Sequence, residues 1–283
     1  MKDLVGIITD GFNTWKDNPI ICAPFLIGTA VICVAGFAAV IITLLSVFMP
    51  FLSDFREMAP DVEPEMLMQM TGPAIAQSGS KIIVGFLIFA VLVMLIRAFF
   101  GAGGIGMAKE ASETGVTIIS DMVDYGKDKF IDLFLADVIV GLITLVGFLF
   151  LIPGILSAGT GVGSMSPRAF EEGVPVLIGL GFLLMMVYML IFTIMLSLVR
   201  YAVVVGDLEA IEGVKKGFEM FLDNKVDVFL LCIILGVINV ALSMISGIGS
   251  PMVIISFIAT LVIVRPLSTV WWTHLYMDRA ERG

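Results

Sequence analysis

Long uninterrupted apolar runs alternate along the chain with short segments in which apolar residues recur every third or fourth position. Residues 20–49 carry no charge over 30 positions. A helix of about 20 residues crosses the hydrocarbon of a bilayer, so this run predicts a span with length to spare for tilt. It is too long for a signal-peptide core. A second run starts at Ile82 and passes Arg97, a third covers roughly 130–152, and 174–199 is a fourth, uncharged one. Residues 228–264 are uncharged over 37 positions. As one helix they would be about 55 Å long against a hydrocarbon core of about 30 Å. Ser246-Gly247-Ile248-Gly249-Ser250-Pro251 divides them, since Gly and Pro clusters interrupt helices. Spans at about 226–245 and 251–272 complete a set of six.

The short segments resemble one another. Residues 7–20, IITDGFNTWKDNPI, and 118–131, IISDMVDYGKDKFI, are identical at six of fourteen positions with an offset of 111. With an offset of 206, Gly11-Phe12 matches Gly217-Phe218 and Asp17-Asn18 matches Asp223-Asn224. Leu4, Ile8, Phe12 and Trp15 share one helical face, as do Ile119, Met122, Val123 and Phe130, and Ile211, Val214, Phe218 and Phe221. Each segment therefore predicts an amphipathic helix lying in the interface and feeding into a span. The returning spans repeat too: VMLIR ends at Arg97, LSLVR at Arg200 and LVIVR at Arg265. The expected fold is all-α and membrane-integral, one polytopic domain over 1–283. Its six spans form three parallel repeats of amphipathic helix plus hairpin, at about 1–106, 107–206 and 207–283. These make a pseudo-threefold bundle. The outer loops fall at 50–80, which is acidic, and 153–173, which is Gly/Ser-rich; the third is only a turn.

Charge gives the orientation. With both termini inside, the inner segments hold thirteen Lys and Arg, and the outer loops only Arg56, Lys81 and Arg168. Trp271 and Trp272 fit an interfacial belt on the inner side. Short loops and the lack of a targeting segment point to a prokaryotic cytoplasmic membrane.

Composition narrows the function. Apolar residues make up 59%, charged residues 14%, and mean hydropathy is +1.08. These values exclude a soluble globular protein and a disordered chain, and the net charge of -9 argues against nucleic acid as a partner. Cys22, Cys33 and Cys232 lie in apolar runs, and in a helix Cys22 and Cys33 stand about 16 Å apart, too far for a bridge. His274 is the only histidine, so no metal or cofactor and no His-dependent triad is expected.

Arg97, Arg200 and Arg265 are the candidate anion-binding residues. A cation inside the polar boundary costs about 2.5–3.5 kcal/mol unless paired or wetted. Either the three form a ring facing the bundle axis and grip a phosphate by forked hydrogen bonds, or each snorkels to the interface or pairs with an acid. Asp132, Asp137 and Asp227 are the candidate partners, or proton or cation carriers; the pairing reading is an Arg–Asp bridge between repeats. Met66-x-Met68-x-Met70 has the softness of a Cu(I) site, although an adaptable apolar patch explains it more simply. Gly101-Ala102-Gly103-Gly104-Ile105-Gly106 lacks the context of a phosphate loop and reads as close helix packing or a hinge.

Residues 197–226, SLVRYAVVVGDLEAIEGVKKGFEMFLDNKV, run from a span ending in Arg-Tyr-Ala through an amphipathic helix to an Asp-Asn that opens the next span. This layout resembles uncharacterised prokaryotic six-span membrane proteins, archaeal ones above all, related to the membrane domain of glycerophosphoryl diester phosphodiesterases. The catalytic barrel of those enzymes is absent here. The resemblance implies a membrane module associated with phospholipid headgroups, with no enzymatic activity of its own. The expected function is a non-enzymatic protein binding membrane lipid or an anionic solute at the inner-leaflet arginines, as part of a transport system. The alternatives are a transporter or channel proper, which needs a continuous polar route, and a structural protein that binds a membrane-protein partner or a second copy.

Overall fold

The computed structural model describes residues 2–57, 64–157 and 174–281, with backbone alone at 47–57, 64–78 and 174–175. Among the described residues every element is helical. Helix α1 (Leu4–Asp17) starts at Asp3, whose carboxylate accepts the Gly6 amide at 2.9 Å, and stops at Asn18. The Asn18 side-chain amide donates to the Thr14 carbonyl at 3.1 Å and to that of Gly115 at 3.0 Å, while its oxygen accepts the Thr117 amide at 3.2 Å. A 3-10 turn at Pro19–Cys22 leads into α2 (Ala23–Glu57), and α3 (Pro64–Thr114) returns. Next come α4 (Ile119–Leu145), a 3-10 turn at Val146–Leu151, α5 (Ile152–Ser157), α6 (Val174–Met195) and α7 (Val199–Val204). Helix α8 (Ala210–Asp223) precedes α9 (Lys225–Ser246) and α10 (Ser250–Ala259). A π turn at Thr260–Val264 then delivers α11 (Arg265–Ala280).

Six helical stretches are long and apolar enough to cross a membrane: Pro19–Ser46, Gly79–Thr114, Ile119–Ser157, Val176–Val204, Lys225–Ser246 and Ser250–Ala280. They match the six runs read from hydropathy, and the chain is a multi-pass membrane protein. The region expected as a loop at 50–80 is instead mostly helix, α2 continuing to Glu57 and α3 starting at Pro64. Residues 65–70, Glu-Met-Leu-Met-Gln-Met, favour helix, and Pro64 suits a first turn. The Met66, Met68 and Met70 side chains and residues 158–173 lie outside the described residues.

The core is gathered at the end of the molecule that carries both termini, here called the base. It consists of α1, the end of α3, the start of α4, α7, α8 and α11. Each of three helix pairs in it crosses at a glycine. A Cβ on Gly11 would come within 2.5 Å of Trp271 Cδ1, one on Gly103 within 2.6 Å of the Met122 carbonyl, and one on Gly217 within 2.7 Å of Val199 Cα. The Gly101–Gly106 stretch is therefore a packing surface of an unbroken α3, and no hinge interrupts it.

Two expectations need correction here. Trp271 and Trp272 are buried in the base, not set in an interfacial belt, and Trp271 Nε1 donates to the Ile8 carbonyl at 3.0 Å. The second amphipathic segment does not lie along the interface, because α4 carries it unbroken into the span. Two aligned residues differ, Lys129 for Asn18 and Phe130 for Pro19, the proline that opens the 3-10 turn. Asn224 ends α8 as Asn18 ends α1, its side-chain amide donating to the carbonyl one turn back, Met220 O, at 3.0 Å. Lys129 holds the aligned position in 118–131. A lysine cannot accept from neighbouring amides or mimic a backbone turn as asparagine does, so the helix continues.

Candidate functional site

The three arginines hold a similar place on their helices, each at the edge of the packed base. Arg97, Arg200 and Arg265 are all exposed, yet each adjoins fully packed positions: Ala98 after Arg97, Val199 and Tyr201 around Arg200, Pro266 and Leu267 after Arg265. Above this level the spans are largely bare apolar surface, and below it the base is packed. The arginines therefore stand where protein packing gives way to lipid, on the exposed surface and not in a buried ring.

Their partners differ. Arg200 Nε and Nη2 donate to the two Asp137 oxygens, each at 2.8 Å, in a forked pair; the Arg200 side chain is 51% exposed and Asp137 17%. Two parallel charge-assisted bonds fix the geometry and cancel both charges. The pair lies within residues 107–206, whereas the sequence reading set such bridges between repeats. Arg97 and Arg265 make no ion pair among the described residues. Asp132 is half-buried and likewise unpaired among them. Asp227 pairs with Arg279, whose Nη2 reaches Asp227 Oδ2 at 2.7 Å.

Arg279 escaped the sequence reading. Its side chain is only 2% exposed, and it also bonds Asp278 and the Lys2 carbonyl. The signal was there: Leu267, Trp271, Trp272, Leu275 and Tyr276 form a buried stripe at helical spacing, and Arg279 extends it. The other polar contacts of the base were equally invisible. Lys109 donates to the Val205 carbonyl at 3.3 Å and lies 5.9 Å from the Tyr125 ring centre. His274 Nε2 is 3.1 Å from Thr14 Oγ1 and 3.2 Å from Ser112 Oγ. Ser112 gives its own proton to the Ala108 carbonyl at 2.6 Å, and this node joins α1, α3 and α11. Among the described residues no three His, Cys, Asp or Glu side chains gather at metal-binding distance.

Lys129 pairs with Asp207, which sits at φ 55°, a left-handed conformation that Asp tolerates. Bonding to Lys129 holds the Asp207 carboxyl below the usual carboxylate range. A depressed folded-state pKa contributes stability above the unfolded value, about 3.9, and loses it as pH falls below. Asp207 is 76% exposed, so Asp207→Asn should cost under about 1 kcal/mol at neutral pH. The melting temperatures of the two proteins in detergent should converge below about pH 4; a difference that persists or grows on acidification would contradict this assignment.

Residues 3–274 match the family described as Domain of unknown function (DUF7847). The chain is also similar to a protein of Archaeoglobus fulgidus described as uncharacterized, 25% identical over 293 residues, covering 97% of this chain and 95% of that one. No solved structure matches.

Proposed function

This chain belongs to the DUF7847 family, and we propose that it is a non-enzymatic membrane module binding a phosphate-bearing anion at Arg97 and Arg265, with both termini cytoplasmic. The observation that carries this reading is the position of two exposed guanidiniums, without an ion pair among the described residues, at the boundary between apolar span and packed base. An arginine at the level of lipid phosphates is disposed to forked hydrogen bonding with them. The likeness of residues 197–226 to the membrane domain of glycerophosphoryl diester phosphodiesterases points the same way. The thirteen-to-three distribution of Lys and Arg supports a cytoplasmic base.

A threefold repeat is part of the proposal, and the base supports it. Each amphipathic helix packs on a returning helix, α1 on α11, α4 on α3 and α8 on α7. In the first two the crossing pairs Gly11 with Trp271 and Met122 with Gly103. Gly11 and Met122 are aligned by the offset of 111, while Gly103 and Trp271 each lie six residues after their arginine. The same small-against-large contact recurs with its two sides exchanged. A polar bond also joins the entry of each outgoing span to the chain at or just after the end of its returning helix: Asn18 to Gly115, Lys129 to Asp207, Asp227 to Arg279.

A transport path is disfavoured by how the span hydroxyls are used. Ser46, Thr144, Ser197, Ser246 and Thr260 each donate to a carbonyl of their own helix three or four residues back, leaving little to line a polar route. A partner-binding role is favoured by one observation, the exposed apolar residues Val5, Val116 and Ile211 at aligned positions of the three copies.

Native mass spectrometry of gently purified protein tests the leading reading. Wild type should retain a phosphate-bearing adduct that is lost when Arg97, Arg200 and Arg265 are all changed to Gln. Identical spectra would overturn it and leave the partner-binding role.

A further inference from the structure

The spans and the base are held together by different means. Polar bonds between different hairpins lie in the base: Trp271 to Ile8, Lys109 to Val205, His274 to Thr14 and Ser112, and the Lys2 amide to Asp278. In the spans, the polar bonds between helices stay inside one hairpin. Tyr188 Oη donates to the Ile143 carbonyl at 2.9 Å and Ser256 Oγ to the Leu242 carbonyl at 3.3 Å. In the most apolar stretch of the first span, and of the second, only 6% of residues are buried.

That bareness is not confined to one side. On α2 the exposed residues Val40, Phe37, Val34, Leu45 and Ile42 spread over about 200° of the helix at 100° per residue. On α3, Phe86, Ile83, Leu87, Ile88 and Leu92 spread over about 240°. A helix in a closed bundle hides about half its circumference. Helix α2 meets the third hairpin at the Thr260–Val264 turn, and among the described residues neither α2 nor α3 packs along α9 or α10, so the first hairpin rises from the base beside an open apolar cleft.

Two arginines stand at the foot of that cleft. Helices α3 and α11 are both returning spans and run parallel, and Ser112 meets His274 across their contact, a register of 162. Carried up the pair, that register sets Arg97 level with Ala259 and Arg265 level with Gly103. The two are six residues apart in height, about 9 Å, on helices from the first and third hairpins.

An apolar cleft within the hydrocarbon, closed at its foot by two cations without an ion pair among the described residues, is complementary to an amphiphile with two chains and a phosphate. We propose that the cleft between the first hairpin (α2, α3) and the third (α9, α10) holds one diacyl phospholipid, its phosphate bound by Arg97 and Arg265 and its chains lying on the bare flank of α2 and α3. This rests on the arginine reading above and gives it a ligand class. Arg200, cancelled by Asp137, is outside the site.

The test uses delipidated full-length protein and native mass spectrometry with three probes: dioleoyl phosphatidylglycerol, dioleoylglycerol and glycerol 1-phosphate. The proposal expects one retained phosphatidylglycerol, displaced by neither of the other two. Its affinity should fall at least tenfold in Arg97→Gln/Arg265→Gln and stay within twofold in Arg200→Gln. Circular dichroism and gel filtration confirm that the variants are folded. Equal binding of glycerol 1-phosphate would overturn the cleft while leaving the arginine site in place. Binding of phosphatidylglycerol unchanged in the double variant would overturn both, as would no binding of any probe.

Discussion

Gly11→Met should be among the most damaging single changes in the base, and a second substitution should undo much of it. Even the first added carbon would meet Trp271 Cδ1 at 2.5 Å, and a methionine must push α1 off α11. Overpacking costs about 1–3 kcal/mol. Trp271→Gly alone should cost about 3–5 kcal/mol through the cavity it leaves, and it also removes the indole bond to the Ile8 carbonyl. Combining the two places Met against Gly, the arrangement that Met122 and Gly103 already adopt at the α4–α3 crossing. The double variant should therefore recover about 2 kcal/mol relative to additivity. Thermal unfolding in detergent, followed by fluorescence-detected gel filtration, reads this directly. Simple additivity would mean that the two crossings are not versions of one contact, and the repeat would lose its strongest support.

The second large effect belongs to Arg279. Its guanidinium is buried and joins α9, through Asp227, to α11 and to the carbonyl of Lys2 near the N-terminus. Removing one partner of a buried pair leaves an uncompensated charge and costs about 3–5 kcal/mol. Arg279→Met should approach that figure. Asp227→Asn should cost less, since Asp278 still faces the arginine. Arg200→Gln serves as the contrast: with its side chain half-exposed, the loss should be near 1 kcal/mol or below. The ranking Arg279→Met, Asp227→Asn, Arg200→Gln is the prediction, and chemical denaturation in a mild detergent decides it. If Arg200→Gln proved the worst of the three, the anchor of the fold would lie at the membrane boundary and not in the base.

The spans were legible because lipid is a uniform solvent. A charge-free run of about 20 residues has few other uses, and Ser246–Pro251 could only be a turn. The base was not legible, because hydropathy ranks Trp271 the same whether it meets lipid or protein. Only partner geometry separates the two, and Gly11 lies 260 residues from Trp271 in the chain. The arginines were legible as a recurring landmark, but their pairing was not. Nothing in the spacing distinguishes Arg200, which finds Asp137, from Arg97 and Arg265. The break at Asn18 and its absence at Lys129 were visible as a substitution within a repeat; their consequence for helix continuity needed coordinates. Arg279 was the instructive omission, since a charge that continues an apolar stripe announces burial more clearly than one that ends a span.

The length of α3 sets the reach of the molecule. From Pro64 to the start of the second apolar run at Ile82 the helix runs 18 residues, about 27 Å at 1.5 Å per residue. That distance exceeds the depth of a headgroup layer. Helix α3 therefore extends past its apolar stretch on the side away from the termini, by more than a headgroup layer is deep. The third hairpin turns within a few residues of the hydrocarbon and presents nothing at that height. A contact made from that side reaches the first hairpin farther out than the third, and a load on it passes down the unbroken α3 to its packing against α4 and α11 in the base.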